Sequence, residues 1–73
     1  MSIKEELRRL DEELARLRTE NQDIRAQIRD MGATDQIEKA AVISQADEQV
    51  ELIAELERRR DTLVARLEEE GSA

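Results

Sequence analysis

Aliphatic residues recur along the first part of the chain at strict spacings of four and three. Ile3, Leu7, Leu10, Leu14, Leu17, Asn21, Ile24, Ile28 and Met31 all fall on this series. Such a series is the a/d seam of a heptad helix packed against one partner. The outward positions hold polar residues or alanine (Arg8, Arg9, Glu12, Ala15, Arg16, Thr19, Gln22, Asp23, Ala26). The apolar stripe is therefore narrow, sufficient to bury against one helix and not two. Ser2 and Glu5 have the spacing of a capping box, with Glu5 and Glu6 in the first turn where the helix dipole favours acids. A first helix is expected over about 3–31.

The seam breaks after Met31. Gly32 suits a helix end, Thr34 or Asp35 suits a new N-cap, and continuing the first frame would bury Asp35 and Glu38. A turn is expected near 32–35. An unbroken helix through an eleven-residue stutter from Met31 to Val42 is the alternative. The second helix is expected over about 36–70, with Gly71 as its stop and Ser44 as a site where a fresh helix or kink is conceivable. Two heptad frames fit it equally well. One runs through Val42, Ala46, Gln49, Ile53, Leu56, Arg60, Leu63 and Leu67, the other through Ile43, Ala46, Val50, Ile53, Glu57, Arg60, Val64 and Leu67. A stripe that satisfies both is wide enough to meet two neighbours.

The expected fold is all-α: one coiled-coil module spanning residues 1–73, made of two long helices and a short break. Two topologies compete. In a parallel dimeric rod, Glu13 would meet Arg18 and Glu20 would meet Arg25 of a twin, and Asn21 would specify register and oligomer state. In an antiparallel hairpin, the short connection is explained. Folding about the turn then sets Leu14 against Ile53, Leu17 against Val50, and Asn21 against Ala46 near Gln49. The hairpin is preferred, with self-association through the wider second helix. The expected seam comprises Leu7, Leu10, Leu14, Leu17, Asn21, Ile24, Ile28, Val50, Ile53, Leu56, Leu63 and Leu67.

Composition removes most chemistry. The 73 residues contain no cysteine, histidine, aromatic residue or proline, and 42% are charged. No disulfide framework, thiolate metal site or imidazole base is available, and the two glycines form no phosphate loop. No enzymatic activity, cofactor or catalytic residue is expected. Glu51 with Glu55, and Glu57 with Asp61, are carboxylates four residues apart, a spacing that Glu-rich helices produce by chance; no metal site is assigned to them. A net charge of −7 speaks against nucleic acid, and no apolar run approaches a membrane span. The expected location is the cytoplasm.

Charge is unevenly placed. Eight acids and seven bases precede Gly32, whereas the segment from Asp35 to Glu57 carries seven acids and only Lys39. Arg58, Arg59 and Arg60 follow in a row, read as helix surface or alternatively as a docking patch. Arg60 also occupies a seam position, where its stem can cover apolar surface while its guanidinium reaches an acid. The expected function is a protein–protein interaction or oligomerisation module that associates with itself and captures a partner helix. The alternatives are a small acidic regulator masking a basic surface of a larger protein, and a metal- or small-ligand-binding helical protein.

Overall fold

A computed structural model of the protein describes residues 2–31 and 36–72. Two helices, α1 (Ile3–Asp30) and α2 (Gln36–Ser72), pack against each other as an antiparallel hairpin. The particle measures 60 × 17 × 15 Å. Its long dimension is that of α2, whose 37 residues rise about 55 Å. The expected turn over 32–35 and its capping residues lie outside the described residues.

Local signals account for the helix ends. The Ser2 hydroxyl accepts the Glu5 N–H at 3.1 Å, and the Ser2 carbonyl accepts the Glu6 N–H at 3.0 Å. Met31 closes α1 in extended conformation, with its N–H donated to Gln27 at 2.9 Å. α2 is continuous through Ser44, so no second start occurs there. It also passes through Gly71, which was expected to stop it. A glycine ends a helix by entering the left-handed region, and no described glycine does so.

Burial decides between the two frames of α2. Val42, Ala46, Gln49, Ile53, Leu56, Arg60, Leu63 and Leu67 are all buried or half-buried, whereas Ile43 and Val50 are each 40% exposed. The first frame therefore faces α1. Along α1, Leu14, Leu17 and Asn21 are buried, and Leu7, Leu10, Ile24 and Ile28 are half-buried. The seam is most tightly sealed at Leu14, Leu17, Ala46 and Leu63.

The register is finer than the expected one. Asn21 does meet Ala46 and Gln49. Carried along both helices, the Asn21–Gln49 pairing sets Leu17 level with Ile53 and Leu14 level with Leu56, three residues beyond the expected partners. The reason lies in heptad packing. Antiparallel helices interleave a layers with d layers, whereas the expected pairs would have stacked Leu14 on Ile53, a on a, and set Leu17 against Val50, a d position against an e position. Val50 accordingly lies at the edge of the seam.

The ion pairs fit this direction, although those of Arg16 lie within α1 and do not set it. Glu13 and Glu20 are both held by Arg16 within α1, the latter at 3.2 Å. Arg18 reaches Glu57 across the hairpin at 2.8 Å. Two of the acids that a parallel twin would need, and the Arg18 that would meet one of them, are engaged within one chain.

Two outcomes follow. The variant Leu17→Cys/Ile53→Cys should oxidise to a product of monomer mass in a denaturing gel; a covalent dimer from Leu17→Cys alone would show α1 against its twin. Separately, α2 ends with Glu68, Glu69 and Glu70 and no base in its last turn. The dipole disfavours acids there, so Glu69→Lys or Glu70→Lys should each stabilise the helix by about 0.3–1 kcal/mol, read as a rise in thermal midpoint.

Candidate functional site

Two features of the hairpin have functional shape: a polar cluster in the seam, and the long face beside it.

The cluster centres on Asn21, the one buried polar residue among the described residues, 8% exposed. Its amide nitrogen donates to the Ala46 carbonyl at 3.0 Å and to Gln49 Oε1 at 3.3 Å, and its oxygen accepts from Arg25 Nε at 2.9 Å. Both amide donors are used, so burial leaves no orphaned group. The bond to Ala46 reaches the backbone of α2, which only a small residue at that position permits. Ala46 is itself 4% exposed. The asparagine was expected to specify register, and the structure brings together Asn21, Ala46 and Gln49; Arg25 is an addition. Its signal was present as an i,i+4 pairing with Asn21.

On each helix the e and b positions lie to one side of the a/d seam, and the c and g positions lie to the other. Antiparallel packing puts both e/b sides on one face of the hairpin. Here Arg18 meets Glu57, and Arg60 Nε donates to Asp11 Oδ1 at 2.6 Å. Arg60 thus behaves as a seam arginine whose head reaches an acid, although that acid belongs to α1 rather than to its own helix. Hydrogen bonding to Asp11 pushes the Arg60 pKa further above the ordinary arginine value, as Glu13 does for Arg16. Both guanidiniums stay charged at any working pH. These ion-pair contacts are solvent-exposed, and such pairs orient helices more than they stabilise them. The Arg18–Glu57 pair follows from e–e′ matching once the antiparallel frame is known.

The face is grooved. One open cleft of about 570 Å³ runs between Asp11, Leu14, Arg18, Glu57, Arg60 and Asp61. Others, of about 620 and 500 Å³, lie beside Ile28 and beside Leu7. Ile43 and Val50 continue the same face as exposed aliphatic residues. Leu52, 42% exposed, belongs to the opposite face, and Ile37, 85% exposed, points away from both. Of the paired carboxylates, Glu57 and Asp61 share their cleft with two arginines, whose charge opposes a cation. Among the described residues no group of three or more metal-ligating side chains occurs, and no helix is long and apolar enough to cross a membrane.

Comparison with protein-family models, with curated proteins and with solved structures finds no match for this chain.

Ala46→Leu should overfill the contact and strip Asn21 of its backbone partner, at a combined cost of about 2–4 kcal/mol by thermal or urea unfolding. Asn21→Val, by contrast, should unfold no more easily than the parent, yet Leu17→Cys in that background should cross-link to both Val50→Cys and Ile53→Cys. A single product would mean the asparagine does not set register.

Proposed function

We propose that the protein is an interaction module that works as a helical hairpin, associating with itself through the side of α2 that the intrachain seam leaves uncovered. The observation that carries this reading is the surplus of surface. The chain exposes 5611 Å². A compact folded monomer of 8.4 kDa exposes about 4600 Å². The difference, about 1000 Å², compares with the roughly 800 Å² that each partner contributes to a standard interface. The core supports the same reading, since only Leu14, Leu17, Ala46 and Leu63 are buried apolar residues among those described. With no aromatic residue or disulfide to reinforce it, a chain of this size gains most from a partner.

A second reading has its own support. α2 presents the exposed acid Asp47 one turn from each of the exposed aliphatic residues Ile43 and Val50, with Glu51 exposed beyond it. A basic amphipathic helix of another protein would satisfy both features, which makes the chain an acidic regulator masking a basic surface. Binding of that kind weakens steeply with salt.

The test is the concentration dependence of folding. Sedimentation equilibrium should return a mass above one chain. The thermal midpoint by circular dichroism should rise by about five degrees or more over a roughly hundredfold range of concentration. A flat midpoint with monomer mass throughout would leave the hairpin as a self-sufficient fold and remove self-association.

A further inference from the structure

We propose that the second copy lies on the e/b face, with α1 of each hairpin against α2 of the other about a two-fold axis parallel to the helices. This rests on the self-association proposed above and names the surface and the arrangement.

Charge selects the face. On the e/b side α1 carries Lys4, Arg8, Arg18, Arg25 and Arg29 against the single acid Asp11. On the same side α2 carries Asp47, Glu57, Asp61 and Glu68 at its e and b positions, with the Arg60 guanidinium reaching over from the seam to Asp11. The face is therefore a strip of net +4 on α1 beside a strip of net −3 on α2, Arg60 included. A two-fold interface brings the same patch of both partners together, so the patch must complement itself. Turned about an axis along the helices, each positive strip meets a negative one. Stacking α1 on α1 would instead set bases on bases.

The opposite face fails the same requirement. On its c and g positions α1 holds Glu6, Glu13, Glu20, Asp23 and Asp30 against Arg9 and Arg16. There α2 holds Glu38, Glu48, Glu55 and Glu69 against Arg59 and Arg66. Both strips are acidic, and two copies meeting there repel.

Height along the rod supplies the detail. An axis parallel to the helices preserves levels, so residues level within one hairpin are level across two. Carrying the Asn21–Gln49 pairing to the b positions sets Arg8 beside Asp61 of the other copy, Ala15 beside Ala54, and Gln22 beside Asp47. These are an ion pair, a close approach of two small residues, and an amide with a carboxylate. Ile43 and Val50 lie along the same strip of α2 and are covered with it. Three open clefts on this face, of about 570, 620 and 500 Å³, give the opposing side chains somewhere to enter. The result is a four-helix bundle in which each helix has two neighbours, α2 meeting its second with Ile43 and Val50 as well as with charge, and α1 with charged and small side chains outside its narrow seam.

The absence of native cysteine makes the test direct. Ala15→Cys and Ala54→Cys, purified separately and mixed under mild oxidation, should form a covalent dimer that neither forms alone. Arg8→Asp or Asp61→Arg should each weaken dimerisation roughly tenfold by sedimentation. The double variant Arg8→Asp/Asp61→Arg should recover it, a rescue that mere loss of folding would not give. A covalent dimer from Ala15→Cys alone would mean α1 stacks on α1 and would overturn the arrangement. So would a double variant as weak as the singles. A dimeric sample with no cross-link in the mixture places the contact on another face, discarding this inference while self-association stands. A monomer at every concentration removes both.

Discussion

The hydrogen bond from the Asn21 amide to the Ala46 carbonyl is the constraint on which the hairpin depends. Aliphatic seams are tolerant, because sliding one helix past another by a heptad costs a few contacts and creates others. A buried amide is not tolerant. Moved one turn in either direction, Asn21 loses a backbone acceptor and keeps its desolvation cost, a penalty of about 1–3 kcal/mol. Ala46 is small because that carbonyl has to be reached, and Gln49 and Arg25 complete the shell. The levels of the other pairs, Leu17 with Ile53 and Leu14 with Leu56 among them, follow from setting Asn21 level with Gln49 in this cluster.

α1 was legible because a single frame accounts for every leucine and isoleucine in it. The antiparallel direction followed from the short break, and the meeting of Asn21 with Ala46 and Gln49 from folding about it. α2 was less legible. Its two frames are equally apolar, and only the position of α1 decides that Val42 turns inward while Ile43 and Val50 stay at the edge. The charge arithmetic for a parallel rod misled for a related reason. It matched Glu13 and Glu20 with bases of a twin, whereas Arg16 lies three residues from one and four from the other and reaches both. Local pairs win because they need no second helix to be ordered. Gly71 shows the limit of single-residue signals, since a glycine costs a helix about 1 kcal/mol and does not forbid it.

The two frames of α2 share Ala46, Ile53, Arg60 and Leu67. These residues stand between the seam and the e/b face, so a change at any of them touches the intrachain contact and the flank together. Ile43 and Val50 belong to the flank alone, and Val42 and Leu56 to the seam alone. Effects within each of those sets are separable, whereas effects at the shared positions are coupled and will not add.

Antiparallel packing also places Ser2 and Ser72 at the same end of a 60 Å rod. A load applied between those ends pulls the helices apart as a zipper, one layer at a time, beginning at Ile3 and Leu67 and arriving at Asn21 only after several turns have parted. The same load applied between the two ends of the rod would act along the helix axes and strain every layer at once. The hairpin is therefore compliant to tension across its open end and stiff to tension along its length, and once the layer held by an amide has parted only those of Ile24 and Ile28 remain among the described residues.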